Sequence, residues 1–439
     1  MMEEMVAAAY TYEPGLLEHE GFPKTEQPVY ILGKSYSTLY DMDELMGDIM
    51  SRLWFTYRRG FSAIGGTGPV SDQGWGCMLR CGQMMVAQAL IHLHIGRDWM
   101  WDRDKPDPIY HRILKMFQDK KNACYSIHQI ASMGVCEGKP IGHWFGPNTI
   151  AQVFRKLCVY DDWSQIRVHI AMDNTVIIKD IWTMCKEPVR TEQDGALESY
   201  NHKSKEMTVN LRKIHQTKTS NFSQNGPSLQ KSKGKTHHGR DPLSEDFKED
   251  LNGDGNGESG SHYKGASWRP LLLIIPLRLG LSEINSVYLD SLKVCLTLPQ
   301  SVGIIGGKPN HAHWFVGYVG DQMVYLDPHT TQPYVDLEQL DASDESYHCP
   351  YASRMKMSQL DPSIAVGFFC KTEKDFINLC SDIRNNIIKR SKTPMFELHE
   401  VRPAHWPPFE PYEVQPGTNS EFTVVDDRQY DTDEEYELL

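Results

Sequence analysis

The spacing of apolar side chains along the chain alternates between helical and strand-like patterns. Apolar residues three or four positions apart predict one buried face of a helix. The longest such pattern begins at Cys77 and ends near Gly96, and shorter ones cover 41–57, 110–117, 126–133, 150–157, 285–297 and 374–389. Short apolar runs without that period predict buried strands at 30–33, 166–171, 268–277, 303–305 and 365–370.

A β-hairpin is predicted in the second half of the chain. Two apolar segments, 313–319 and 322–327, flank Gly320 and Asp321. A two-residue connection of this type is the turn that hairpins prefer. The residues that follow the hairpin, Asp327 to His329, therefore begin where its second strand ends.

Composition divides the chain into segments. Residues 1–27 are acidic with few apolar anchors and predict a flexible arm, and the tail from 403 to 439 is Pro-rich and then acidic. Between 190 and 266 the chain consists largely of Lys, Ser, Asn, Gly, Asp and Glu, which cannot bury enough apolar surface to order a segment. The rest is predicted to form two halves of a main domain with a small subdomain between them: 28–107, 267–402 and 108–185.

Charge and cysteine usage narrow the class of protein. A net charge of −13 without a basic run argues against nucleic acid as a partner. Ten scattered cysteines without a CxxC pair are neither a disulfide framework nor a zinc pattern, and they suit a reducing compartment. The first residues are acidic where a signal peptide would be basic, and the run 270–277 is too short to span a bilayer. We therefore expect a cytoplasmic protein.

The first candidate for chemistry is Cys77, which follows a turn containing Gly74 and Gly76. A cysteine at a helix N-terminus faces unpaired N–H groups and the positive end of the helix dipole, and both favour the nucleophilic thiolate. The glycines leave room for a substrate backbone. The alternative is a buried cysteine that acts as a small hydrophobic residue.

The second candidate is the pair Asp327 and His329. Residues two apart on a strand point to the same face, so the carboxylate is expected to reach the imidazole and fix its tautomer. With Cys77 the pair permits a papain-type division of roles, in which a thiolate attacks, an imidazolium protonates the leaving amine and a carboxylate orients the ring. The alternative is a surface Asp and His on a loop. Gln73 is open as an oxyanion donor or as an ordinary polar loop residue.

No metal or cofactor is expected. The segment 250–255 opens like an EF-hand loop, but its twelfth position is Ser261 instead of a glutamate. The pairs His92/His94 and His311/His313 have no further ligands near them in the sequence, so core or surface histidines are the preferred interpretation.

Four motifs together resemble those of the autophagins, the autophagy-related cysteine peptidases: 51–58, 65–69, 74–83 and 325–332. The resemblance extends from about Tyr30 to Val401 without the insertion and is closest to the animal A/B-type branch. It implies an α+β, papain-like fold with a small auxiliary subdomain. It further implies cleavage after the C-terminal glycine of GABARAP-type ubiquitin-like modifiers, and their release from phosphatidylethanolamine. Membrane contact would then occur through the lipidated substrate.

The same resemblance implies a role for particular residues. Cys77 matches the nucleophile, His329 the base, Asp327 the residue that orients it, and Tyr57 a tyrosine that stabilises the oxyanion. A phenol O–H is chemically able to donate to a developing oxyanion. Trp144 and Pro309, the latter in the loop 306–310, resemble a gate that admits only an extended tail without side chains. Trp144 is equally compatible with a core aromatic.

Two further hypotheses concern regulation. Tyr436 and Leu439, with acidic residues upstream, resemble a short motif that binds the same modifiers by strand addition; the alternative is a solubilising tail. Cys81 lies one helical turn after Cys77 and is a candidate oxidation sensor, or else a buried helix residue. The alternatives to a peptidase are a catalytically weak adaptor that binds through its tail and an acyl-transferring thiol enzyme.

Overall fold

The computed structural model describes residues 21–187, 267–339 and 342–412. The predicted insertion, most of the N-terminal arm, and Tyr436 and Leu439 lie outside the described residues. The α-helices are, in order from α1 to α8, Met42–Met50, Cys77–His94, Pro108–Lys115, Ile127–Gly134, Pro147–Leu157, Ile178–Cys185, Leu289–Thr297 and Glu373–Asp382.

The structure describes fifteen β-strands in the same ranges of the chain. From β1 to β15 they are Val29–Ile31, Lys34–Tyr36, Arg58–Arg59, Arg167–Ile170, Thr175–Ile177, Lys186–Glu187, Ser267–Trp268, Leu271–Arg278, Ser301–Gly306, His313–Val319, Gln322–Leu326, Gln332–Pro333, Ser353–Lys356, Ser363–Cys370 and Glu397–His399.

A mixed nine-stranded sheet forms the centre of the fold. Seven strands follow the order β13-β11-β10-β9-β14-β8-β4, and β1 and β2 continue from β10. Neighbours on this path are antiparallel except β4 and β8. The predicted hairpin is confirmed as β10 and β11, with Val319 opposite Gln322 across the turn. Helices packed on a mixed sheet make this an α+β protein, as predicted.

Both faces of this sheet are buried, which the alternation of strand residues makes possible. On β10, Trp314 packs into the core cluster that contains α2, whereas Phe315 packs into the cluster that contains α7 and α8. Ile305 and Ile304 on β9 divide in the same way. The sheet therefore holds α2 on one face. The start of that helix lies near the segments that follow β9 and β11.

The predicted helix over 41–57 is too long. The structure has α1 only to Met50, and the apolar residues after it lie in extended chain. There the Trp54 N–H donates to the Tyr347 carbonyl oxygen over 2.8 Å, and the Tyr57 N–H donates to that of Pro328 over 2.9 Å. Because nearly every residue from Leu53 to Tyr57 is buried, the segment has the composition of a core helix without being one.

Residues 108–185 join the main sheet. Strand β4 pairs with β8 in parallel, from Arg167 opposite Leu271 to Ile170 opposite Ile274. The described residues on both sides of the insertion belong to one compact unit. The segment predicted as a small subdomain is thus continuous with the sheet through β4.

The chain after 402 runs along the edge of the sheet that β4 forms. Arg402 donates to the Asp180 carboxylate, with Nε at 3.0 Å from Oδ2, and the Phe409 ring lies 5.8 Å from that of His169. Phe409, which lies in the predicted flexible tail, therefore contacts the domain. None of the described helices has the length and apolar character needed to cross a bilayer.

Candidate active site

A tight turn delivers Cys77 to the first position of α2. The carbonyl oxygen of Asp72 accepts the N–H groups of Trp75 and Gly76, at 3.2 and 2.8 Å. A Cβ atom at Gly76 would lie only 2.2 Å from the Asp72 carboxylate, so the turn requires glycine there. The Cys77 side chain is fully buried and lies at the end of the helix where N–H groups lack helical partners.

A buried ion cluster fixes this turn against the helix. Arg80 Nε lies 2.8 Å from Asp72 Oδ2, and Arg80 Nη1 lies 2.8 Å from Asp119 Oδ1. These three side chains are almost inaccessible to solvent. Asp72 Oδ1 also accepts the backbone N–H of Arg58 over 2.7 Å. One carboxylate therefore ties together the strand β3, the nucleophile turn and α2.

Removing the cation from this cluster should destabilise the fold strongly. We expect Arg80→Met to lower the free energy of unfolding by about 3–5 kcal/mol, because two buried carboxylates lose their partner. Denaturant unfolding followed by circular dichroism measures the change. Arg384→Met is the matched control, since its pair with Glu400 is exposed and such pairs contribute about 0–1 kcal/mol. Equal stability of both variants would contradict this role of the cluster.

The predicted contact between Asp327 and His329 is present. His329 Nδ1 lies 2.6 Å from Asp327 Oδ1, and the same oxygen accepts the His329 backbone N–H over 2.9 Å. Both residues lie just after β11, which ends at Leu326. The main-chain oxygen of Asp327 accepts Trp54 Nε1–H over 2.7 Å. The imidazole is therefore held by its carboxylate with Nε2 left for another partner.

Tyr57 lies beside this imidazole. The two rings meet edge to face with centroids 5.6 Å apart. The Tyr57 hydroxyl and His329 Nε2 are buried, and each interacts with Cys77 in a geometry that falls short of a well-aligned hydrogen bond. Burial, followed by the charge of Cys77, raises the pKa of Tyr57, so the phenol keeps its proton. It is available as a hydrogen-bond donor.

The site favours ionisation of Cys77. Burial alone would raise the pKa of the thiol, but the hydrogen bond and charge of His329, with Tyr57 and the Ala312 N–H, outweigh it and lower that pKa. Burial likewise opposes the charge on His329, yet Asp327 and Cys77 raise its pKa to about 9. At neutral pH the pair therefore favours thiolate and imidazolium, the reactive form of a cysteine nucleophile.

The loop 307–312 also contacts the sulfur of Cys77. Its last residue, Ala312, donates its N–H toward Cys77, and Pro309 is exposed three positions earlier. Gly307 has φ of 137°, and a Cβ atom there would lie 2.2 Å from the His311 carbonyl oxygen. Trp144 is partly exposed and packs against the core cluster of α2. The loop and the indole are thus accessible, as a gate requires.

Cys81 occupies a different environment from Cys77. It is fully buried, and burial raises the pKa of its thiol well above the ordinary value. Oxidation-sensing cysteines are accessible and have a low pKa. The structure therefore favours the buried helix residue over the oxidation sensor.

His313 is a neighbour of the site that the sequence analysis treated as a core or surface histidine. Its Nε2 lies 3.8 Å from Asp327 Oδ2, the carboxylate oxygen that His329 does not use. Burial lowers the pKa of His313 to about 4, so the ring is neutral at physiological pH. The roles of Arg80 and Asp119 could not be predicted from the sequence either. Their charges are 39 positions apart, and only the fold brings them together.

A thiol at a helix N-terminus, paired with an imidazole that a carboxylate orients, defines a cysteine peptidase of the papain-like class. Comparison with known proteins gives the family. The profile of the Peptidase C54 catalytic domain matches residues 42–382, and the chain belongs to this family, the autophagins.

Relatives with assigned names agree with this placement. The chain is 47% identical over 436 residues to the cysteine protease ATG4A of Xenopus laevis, which covers 98% of this chain and 97% of the relative. It is 46% identical over 443 residues to ATG4B of the same species, covering 99% and 100%. Human ATG4A is 44% identical over 428 residues, covering 96% and 95%. The chain is thus an autophagy-related cysteine peptidase of the animal A/B branch.

Proposed function

We propose that this peptidase cleaves GABARAP-type ubiquitin-like modifiers after their C-terminal glycine and also releases them from phosphatidylethanolamine. The observation that carries the proposal is the arrangement of Cys77 at the start of α2 beside His329, whose Nδ1 lies 2.6 Å from Asp327 Oδ1. This arrangement lowers the pKa of the thiol and raises that of His329 to about 9. Both reactions break an amide bond to a glycine carbonyl, with an amine as leaving group. One site therefore serves both.

The steps follow from the positions of the groups. The Cys77 thiolate attacks the glycine carbonyl carbon, and the Tyr57 hydroxyl donates to the oxyanion that forms. The His329 imidazolium gives its Nε2 proton to the leaving amine, which yields a thioester on Cys77. His329, now neutral, takes a proton from water, which attacks the thioester and frees the glycine carboxylate. Asp327 orients the ring throughout.

Selectivity for glycine is proposed to come from Trp144 and Pro309. An indole on one side and a proline loop on the other would leave space for extended backbone and exclude side chains. Tyr436 and Leu439 are proposed to bind the modifier by strand addition. All ten cysteines are free, which fits a reducing compartment, and a cytoplasmic location is part of the proposal.

The deciding experiment incubates the purified protein with a C-terminally extended modifier and, separately, with the same modifier conjugated to phosphatidylethanolamine on vesicles. Mass spectrometry should show a product ending in glycine from both substrates, and none with Cys77→Ala. A substrate with leucine in place of that glycine is the matched control and should be left intact. Cleavage of neither substrate would reject the proposal, and an amine-linked product would indicate acyl transfer instead of hydrolysis.

The hydroxyl of Tyr57 should contribute to the chemical step. We expect Tyr57→Phe to lower kcat about 10²–10³-fold with little change in KM, because a donor to the oxyanion is lost. Tyr125→Phe is the matched control, since that hydroxyl is also buried but bonds Asp161 over 2.9 Å. Steady-state kinetics on the extended modifier separate the two parameters. An unchanged kcat in the Tyr57 variant would remove this residue from the mechanism.

The pH dependence should follow the ion pair. The active form needs Cys77 ionised and His329 protonated. Activity is therefore lost at acid pH, where the thiolate of Cys77 gains a proton below its lowered pKa. It is lost at alkaline pH, where His329 loses its proton above a pKa of about 9. One pH unit above that alkaline value, kcat/KM should be about tenfold below its plateau. Initial rates from pH 5 to 10.5 in buffers of constant ionic strength test this. A rate that is flat through pH 10 would contradict the assignment.

A further inference from the structure

Three side chains with metal-binding atoms converge at the site: His313, Asp327 and His329. One ligand atom from each lies within 4.8 Å of the others. His313 is the first residue of β10 and pairs with Gly306 of β9, so its position is fixed by the sheet. Its ring lies 5.5 Å from the His329 ring, measured between centroids. Two imidazoles and a carboxylate are a ligand set that suits Zn²⁺.

We propose that Zn²⁺ binds His313 Nε2, the Asp327 carboxylate and His329 Nδ1, and that this binding reversibly inhibits the peptidase. In a tetrahedral site with bonds of about 2.0–2.1 Å, neighbouring ligand atoms are roughly 3.3 Å apart. His313 Nε2 lies 3.8 Å from Asp327 Oδ2, His329 Nδ1 lies 2.6 Å from Asp327 Oδ1, and the ligand atoms of the three residues all lie within 4.8 Å of one another. Changes of up to about 1.5 Å in these separations convert one arrangement into the other.

Metal binding and catalysis use the same atom. In the catalytic arrangement Nδ1–H of His329 donates a hydrogen bond to Asp327. Zn²⁺ takes the place of that proton, which is released to solvent, and the nitrogen and oxygen must move apart. The ring then loses the hydrogen bond that orients it toward Cys77. Inhibition follows without any bond between the metal and the thiolate.

Solvent reaches this set of ligands through two of its side chains. The side chains of His313 and Asp327 keep 12% and 18% of their surface exposed, while that of His329 keeps 2%. A metal ion therefore approaches from the side on which His313 and Asp327 are exposed.

The test measures zinc inhibition in a buffer with a phosphine reductant, because thiol reductants and chelators would bind the metal. The inhibitory zinc concentration is determined relative to each variant's own zinc-free rate. We expect His313→Gln to raise it at least about tenfold, since one of three ligands is lost. His311→Gln, which replaces an exposed histidine two residues earlier in the loop before β10, should behave as wild type. Equal inhibition of wild type and His313→Gln would overturn the proposal.

A second readout does not depend on peptidase activity and so separates this inference from the proposed function. Co²⁺ added to Cys77→Ala should give a one-to-one complex with visible d–d absorption, and Cys77→Ala with His313→Gln should lose it. His313→Phe replaces the glutamine variant if circular dichroism shows that the latter is unfolded. A spectrum that requires Cys77, with thiolate-to-cobalt charge transfer, would place the metal on the sulfur and reject the site.

Discussion

Replacement of Cys77 by serine is expected to lower kcat/KM at least about 10⁴-fold, although the two side chains differ by one atom. In the wild type the proton of the nucleophile already resides on His329, whose pKa of about 9 depends partly on the thiolate. A serine hydroxyl does not ionise at neutral pH, so His329 would first have to lose its Nε2 proton before it could act as a base. Steady-state kinetics on the extended modifier measure the loss.

The serine variant should still bind its substrate. Cys77 is fully buried and contributes little to the surface on which a folded modifier would dock, so calorimetry should give an affinity within about threefold of wild type, a difference of less than 1 kcal/mol. Cys136→Ser is the matched control, because that thiol is exposed, and its kinetics should not change. Retention of more than about 1% of the activity in Cys77→Ser would mean that the ionised pair is not the reactive state.

Local patterns in the sequence predicted the elements that carry the site. The apolar period after Cys77 predicted α2, observed as Cys77–His94, in which every residue from Cys77 to Ile91 is buried. The Gly320–Asp321 turn gave the hairpin and with it the location of Asp327 and His329. These features depend on residues close in sequence, where spacing alone decides which side chains share a face.

Other parts of the site depend on contacts between distant segments. Asp119 reaches Arg80 from another helix connection, and His313 reaches Asp327 across the hairpin. Leu53 to Tyr57 is extended because its backbone bonds to residues near 328 and 347, which no local pattern indicates. A buried charge looks like a surface charge in sequence, so the cluster that holds the nucleophile turn could not be predicted.

The role of Asp327 follows from its contact with His329 two residues away, and its loss should be nearly as severe as that of the nucleophile. We expect Asp327→Asn to lower kcat about 10³–10⁴-fold, since an amide does not select the tautomer and charge state that the carboxylate holds at 2.6 Å. The variant is similar in size to the wild type, so the site should keep its shape. Asp321→Asn, at the exposed tip of the same hairpin, is the matched control and should leave kcat unchanged.

A merely steric role of Asp327 would predict a different pH profile. The hydrogen bond and charge of this carboxylate are among the causes that raise the pKa of His329 to about 9. Without them the imidazolium should lose its proton at lower pH, and the alkaline limb of the residual activity should move below 9. The stability of the thiolate should fall with it, because His329 also lowers the pKa of Cys77. A slow variant whose alkaline limb stays at about 9 would show that Asp327 only positions the ring.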